Sequence, residues 1–166
     1  MNFQIKDYQS VPEEDDEIVA LLTDVFVKEG YTVKSRAEKM FTPSELQKRG
    51  QILLARSNSG NLLGMIILVL PTSPARQISR PDEVEIHLLA VYPKARGQGV
   101  GKHLIKTCEQ RAIQSGFTKM VLSTQQTMKQ AHSVYEKSGY RRNPTRDWSP
   151  DTNKTYLVYE KLLDQI

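Results

Sequence analysis

Glycines at 97, 99 and 101 lie between an apolar run that ends at Tyr92-Pro93 and a stretch of helical periodicity. Arg96 precedes them and Lys102 follows. A turn without Cβ atoms lets backbone N–H groups come close to a ligand. The helix start beyond it adds unpaired donors and a partial positive charge, which suits phosphate. The segment reads as a diphosphate cradle, with N–H groups from Gln98, Gly99, Val100, Gly101 and Lys102 and charge from Arg96. By itself a glycine trio fits a plain tight turn equally well, and Lys94, Arg96 and Lys102 fit ordinary surface cations. Two nucleotide patterns are excluded. The spacing is Arg96-x-x-Gly99-x-Gly101 rather than the G-x-G-x-x-G of dinucleotide sites, and Lys102 is followed by His103 rather than Ser or Thr.

A second motif narrows the reading. Leu88-Leu89-Ala90-Val91-Tyr92-Pro93 leads into R-x-x-G-x-G, and Ala131-His132-Ser133-Val134-Tyr135-Glu136-Lys137-Ser138-Gly139-Tyr140 follows some thirty residues later. The pair resembles the acyl-CoA site and the A-x-x-x-Y-E-K-x-G-F/Y signature of the GNAT superfamily of N-acetyltransferases, over roughly residues 50–161. The resemblance implies a mixed, mostly antiparallel sheet flanked by helices, an α/β (α+β) fold. It also implies acetyl-CoA as co-substrate, with no metal, and transfer of the acetyl group to a primary amine. Leu89, Ala90 and Val91 would follow the pantetheine arm, with backbone donors from Leu89 and Val91 toward the acetyl oxygen. Arg96, Gly97, Gln98, Gly99, Val100, Gly101 and Lys102 would hold the diphosphate. Tyr135 matches the family tyrosine beside the cofactor sulfur and would protonate the departing thiolate; packing on its helix's apolar face is the other reading. One position departs: where the family often has a cofactor-contacting Asn, this chain has Met128, and Gln125, Gln126 or Thr127 would have to substitute.

Acetyl transfer also needs an amine without its extra proton, since a free amine with pKa near ~10.4 is almost wholly protonated at neutral pH. Strand alternation places Glu85, His87, Leu89 and Val91 on one face, with Ile86, Leu88 and Ala90 on the other. A Glu in a central strand is costly to bury unless paired or working. Glu85 therefore reads as the general base, at a position where some family members carry one, or as a carboxylate at the strand's wetted start. His87 reads as a proton relay or as a satisfied structural histidine. Cys108 falls on a helix core face, so transfer is expected directly within a ternary complex, without an acyl-cysteine.

The elements that must position these groups follow from periodicity. Residues 3–8, 51–56, 62–70, 84–91 and 118–124 read as strands. Ser10-x-x-Glu13 reads as a capping box for a helix whose apolar stripe is Ile18, Leu21, Leu22, Val25 and Phe26, ending at Gly30. Thr42-Pro43-Ser44-Glu45 opens another helix. Val100, Leu104, Cys108 and Ala112 mark the core face of a helix after the glycine turn, and Ala131, Val134, Tyr135 and Ser138 that of a second. Residues 139–147 and 154–161 read as a closing hairpin around Asp147–Asp151. The link from Pro71 to Glu83, with Arg76 and Arg80, is long for a strand connection and reads as a solvated excursion, or else as a substrate gate or subunit contact. Tyr31, Phe41 and Trp148 are candidates to line an acceptor pocket.

Composition sets the limits. The 166 residues suit one domain spanning 1–166, with enough length for a substantial core. A net charge of +4 suits an anionic cofactor, yet no Lys/Arg stripe marks a nucleic-acid footprint. No apolar run reaches the ~20 residues of a membrane span, and the N-terminus lacks a signal-peptide pattern. One cysteine forms no internal disulfide and fits a reducing cytoplasm. The acceptor, a small-molecule or a protein amine, is not named by these residues. Homodimer pairing through the last strands is in keeping with the resemblance. The same cradle without turnover would make an acyl-CoA-binding sensor or interaction module, the alternative function.

Overall fold

Strand β3 (Leu62–Val69) is apolar at every position but Gly64 and buried at all but Leu63, as a strand covered on both faces must be. It lies near the middle of one sheet with β1 (Phe3–Asp7), β2 (Gln51–Ser57), β4 (Glu83–Val91), β5 (Lys119–Gln125), β6 (Arg141–Arg142), β7 (Trp148–Asp151) and β8 (Lys154–Leu162). The order is β1-β2-β3-β4-β5-β8-β6, with β7 also on β8. Every pairing is antiparallel except β4 with β5. The computed structural model describes residues 2–151 and 153–164. It has the mixed, mostly antiparallel sheet flanked by helices that the sequence implied.

Two cores sandwich the sheet. On one face, α4 (Val100–Gln114) buries Val100, Leu104, Cys108 and Ala112 against Leu53, Ile66 and Ile86, and α5 (Lys129–Lys137) adds Tyr135. On the other, α1 (Pro12–Leu22), α2 (Lys34–Met40) and α3 (Pro43–Arg49) cover Leu54, Met65, Ile67 and Val69 with Ile18, Leu21, Ala37 and Leu46. Thr42 caps α3 by accepting from the Glu45 N–H at 3.3 Å.

Several local expectations give way. The capping box does not form: Val11 is the N-cap of α1 and Pro12 its first residue, with Ser10 outside the helix. Pro12 supplies a preset φ and lacks the N–H a cap would satisfy. The apolar stripe continues past α1 through a π-helical turn, Thr23–Val27, which buries Val25 and Phe26. The first arm of the closing hairpin is broken, because Pro144 starts a 3-10 turn between the two-residue β6 and β7. Strand β7 occupies the stretch read as the turn. The Pro71–Glu83 link runs over the surface, with Thr72, Pro74, Arg76, Gln77, Arg80, Pro81 and Asp82 exposed, but it is pinned to the body. Ser73 donates to the Arg49 carbonyl at 2.8 Å, Arg146 to the Ile78 carbonyl at 2.8 Å, and Ser79 is 1% exposed.

The decisive irregularity is in β4. Opposite β3, Ile67 pairs with His87 but Met65 pairs with Ala90, so Leu88 and Leu89 together face one residue. Leu88 has φ +51, left-handed backbone for a β-bulge. The bulge reverses alternation. Leu89 and Val91 pack with the α4 core, whereas Leu88 and Ala90 join the α1 core. Glu85 and His87 therefore do not share a face with Leu89 and Val91. Pairing between β4 and β5 also stops just before it, at Ile86 and Leu122, and the strands part.

Candidate active site

The parting of β4 and β5 opens a cleft of about 480 Å³. Leu89 and Val91 form its floor, Gly97 and Gly99 to Lys102 one rim with Gln98 outside the lining, and Met128, Ala131, Val134 and Ser138 the α5 side. Val25, Phe26, Glu29 and Tyr31 close it from the N-terminal segment. Most of the resemblance-derived cofactor residues thus meet in one place. Ala90 does not reach it: its side chain is 1% exposed within the opposite core. Gln98 turns its amide to the Lys94 carbonyl at 3.4 Å.

The rim is built as a donor array. Gly97 and Gly99 sit at φ +81 and +82, where an L side chain is strained. Gly99 is the N-cap of α4. A Cβ on Gly101 would stand 3.5 Å from Val134, 3.8 Å from Val91 and 3.9 Å from Leu89, inside the cleft. Among the described residues, the N–H groups of 97 to 102 donate to no protein acceptor; the first backbone bond into α4 is from the His103 N–H to the Gly99 carbonyl at 3.0 Å. Six unpaired donors at a helix start form a field suited to a polyanion.

The β4 edge adds two more. The Tyr92 N–H donates to the Leu63 carbonyl at 2.9 Å, toward β3. By alternation the N–H groups of Val91 and Leu89 point the other way, into the split. The Val91 carbonyl, on that same side, accepts from Arg96 Nε at 3.1 Å.

Arg96 is held more firmly than a surface cation. Its Nη1 donates to Glu29 at 2.9 Å and Gln130 at 2.7 Å, and its Nη2 to Glu29 at 3.0 Å. The hydrogen bond to Glu29 raises its pKa further. Glu29 and Gln130 are site residues that sequence reasoning missed; each lies far from Arg96 along the chain, and no local pattern marks them.

Glu85 is buried, 1% exposed, and absent from the cleft lining. The frayed, wetted reading is thereby overturned. Its carboxylate accepts from the backbone N–H groups of Gln77 (3.0 Å), Ile78 and Ser79 (2.8 Å), and from His87 at 2.9 Å. Burial pushes this carboxyl up, but His87 and the Ile78 and Gln77 amides outweigh it, and its pKa falls below the ordinary value. His87 Nδ1 lies 3.0 Å from Arg49 Nη1. Guanidinium only donates, so Nδ1 accepts and the ring proton sits on Nε2, facing Glu85. Burial lowers the His87 pKa, with Glu85 opposing, so the ring is neutral.

Tyr135 is 6% exposed, with its ring 6.2 Å from Tyr140 and 6.0 Å from Tyr159. It does not line the cleft, although its neighbour Val134 does. Its hydroxyl makes no hydrogen bond among the described residues, and burial raises its pKa. Cys108 is fully buried, and burial pushes its thiol up too. Met128 lines the cleft where the family often has Asn. Gln125 is no replacement, since its amide donates to the Tyr31 carbonyl at 3.1 Å. Of the acceptor candidates, Tyr31 lines the cleft, Phe41 packs on Phe26, and Trp148 stacks on Tyr156 at 5.0 Å.

A parallel pair that splits beside a glycine-started helix, with the donors of both turned inward, defines a protein built to hold an extended anionic ligand. The family model described as Acetyltransferase (GNAT) family matches residues 15–140, and the chain belongs to that family. It is 30% identical over 105 residues to N-acetyltransferase 8F1 of Rattus norvegicus, covering 63% of this chain. The chain spans only 46% of that relative's length. Among solved structures, an acetyltransferase from Streptococcus agalactiae superposes with a TM-score of 0.75 at 24% identity, over 98% of this chain and 99% of that one. An aminoglycoside 6'-N-acetyltransferase complexed with coenzyme A superposes at 0.68 with 20% identity, over 98% of each chain. At these identities the superpositions establish the fold.

Proposed function

We propose that the protein is an N-acetyltransferase that moves an acetyl group from acetyl-CoA to a primary amine, directly and within a ternary complex. The observation that carries this reading is the set of unpaired N–H groups from 97 to 102 at the rim of the cleft, in a chain of the GNAT family. The coenzyme A bound by the aminoglycoside acetyltransferase of the same fold supports it.

In this reading Gly97 to Lys102 hold the diphosphate through backbone donors, with Arg96 nearby. Leu89 and Val91 N–H groups take the pantetheine arm and the acyl oxygen, acting as a preorganised oxyanion site. Acetyl-CoA supplies a reactive thioester. Tyr135 stands behind Val134 rather than on the cleft surface and is kept protonated by its buried setting; as the family resemblance implies, it gives its hydroxyl proton to the leaving sulfur and regains one from the attacking nitrogen as the C–S bond breaks. The fully buried Cys108 is not a nucleophile here. Glu85 serves as an anchor and not as the direct base, because it is buried, lies outside the cleft lining and already accepts from three backbone N–H groups and His87. The amine sheds its proton to water before it enters among Phe26, Tyr31 and Met128, where an ammonium would be poorly solvated. The acceptor is a small-molecule or protein amine, and the reaction belongs in the reducing cytoplasm that a lone thiol suits.

Titration calorimetry with acetyl-CoA, followed by thiol release across a panel of amines, tests the reading. Saturable binding below high micromolar concentration, with amine-dependent release, is expected. Absence of binding overturns it; binding without release from any amine leaves an acyl-CoA sensor in its place.

A further inference from the structure

Resting on the reading above, we infer that Glu29 is a built-in competitor of the cofactor diphosphate for Arg96, so that binding must break the Glu29–Arg96 pair. Four of the five guanidinium N–H groups are committed: Nε to the Val91 carbonyl, Nη1 to Glu29 and Gln130, Nη2 to Glu29. Glu29 uses both of its oxygens, a bidentate pairing. The three residues come from separate parts of the chain, the end of the first helical segment, the basic turn and the first turn of α5. All three line the cleft, so their bonds close a bridge across its mouth.

The bridge lies immediately before the free N–H groups. A polyanion drawn to those donors meets the Glu29 carboxylate on the one arginine it would otherwise recruit. The Arg96 and Glu29 side chains are 27% and 31% exposed, so water screens the pair and a multiply charged diphosphate can displace it. The neighbouring Tyr31 does not depend on the bridge. Its carbonyl accepts separately from Gln125 and, at 2.9 Å, from Lys154. Opening is therefore local to Glu29. Its effect is to weaken cofactor binding and select for ligands with enough negative charge to win the arginine.

The test is calorimetric titration of coenzyme A into wild type, Glu29→Gln, Arg96→Gln and the double variant, each checked by thermal melting. Glu29→Gln is expected to bind roughly 3- to 10-fold tighter, the range of a modest bidentate pair. In the Arg96→Gln background the same change is expected to gain less than about 2-fold, because the competition is gone. An equal gain in both backgrounds means simple repulsion and overturns the inference. So does unchanged or weaker binding by Glu29→Gln. Glu29→Asp is the second variant: it keeps the charge but withdraws it by one methylene, so competition predicts tighter binding and repulsion predicts none. If wild type binds and the variants do not differ, the inference alone fails. If neither wild type nor Glu29→Gln binds, the acetyltransferase reading fails with it.

Discussion

The Tyr135 hydroxyl makes no hydrogen bond among the described residues, while its ring is packed between two other tyrosines. Removing the hydroxyl should therefore cost little stability, and any effect on rate reports proton transfer. Tyr135→Phe is expected to lower turnover by about 10²–10⁴-fold with coenzyme A affinity within about 2-fold of wild type; an unaltered rate removes Tyr135 from the chemistry. Glu85 and His87 should behave oppositely. Both fold with lowered pKa values. A histidine held neutral binds fewer protons folded than unfolded, so stability is present above about 6.5 and is lost as pH falls toward the folded value. Glu85 adds a second loss below about 4.5, as acid reaches its carboxylate. Melting temperatures from pH 7.5 down to 5.5 should fall, and His87→Gln should flatten part of that slope. His132, also lowered by burial, keeps the remainder. Glu85→Gln should cost about 2–3 kcal/mol at neutral pH while leaving the shape of the pH–rate profile intact. A lost acidic limb in that profile would restore Glu85 as the base.

At the scale of elements, two backbone irregularities make the cleft. The bulge at Leu88 turns the outer half of β4 over, and the glycine turn presents its amides to the space that opens. Gly99 is the joint between turn and helix. Gly99→Ala should lose about 1–2 kcal/mol to the left-handed φ, and coenzyme A binding should weaken as the backbone shifts to relieve it. Gly101 tests a different property of the same turn. Its φ is not in the strained region, and an added methyl would meet Val134, Val91 and Leu89 at ordinary contact distances. Gly101→Ala should leave the melting temperature nearly unchanged and reduce affinity by occupying the cleft. Equal affinity for Gly101→Ala and wild type would mean that the ligand does not run past α5.

Across the whole molecule, the two cores hold the sheet from opposite sides, and the cleft is the place where neither closes over β4. A ligand that fills it joins β4, α4 and α5 in the native state only. Coenzyme A at about 100 times its Kd should therefore add about 2.7 kcal/mol and raise the melting temperature by roughly 5–10 °C. No shift at saturating concentration, in a scan that detects shifts of one degree, would contradict binding at the cleft. Among the described residues no helix is long and apolar enough to cross a membrane.

Strands, the paired helices after the glycine turn and after β5, and the motif residues from Leu89 to Lys102 were legible because each is written locally. Strand alternation, helical periodicity and glycine spacing are set by neighbours in the chain. The chain alone thus determined the mixed sheet, the family and the position of the donor rim. Only the tertiary structure decided the rest. A single residue with positive φ reversed the face of everything after it in β4, and no composition signal marks Leu88 for that role. Whether Glu85 would be wet or buried depended on a loop folding back to spend its amides on the carboxylate. Arg96 found Glu29 across 67 residues and Gln130 across 34. Such partners are chosen by three-dimensional proximity, and one-dimensional spacing carries no record of that choice.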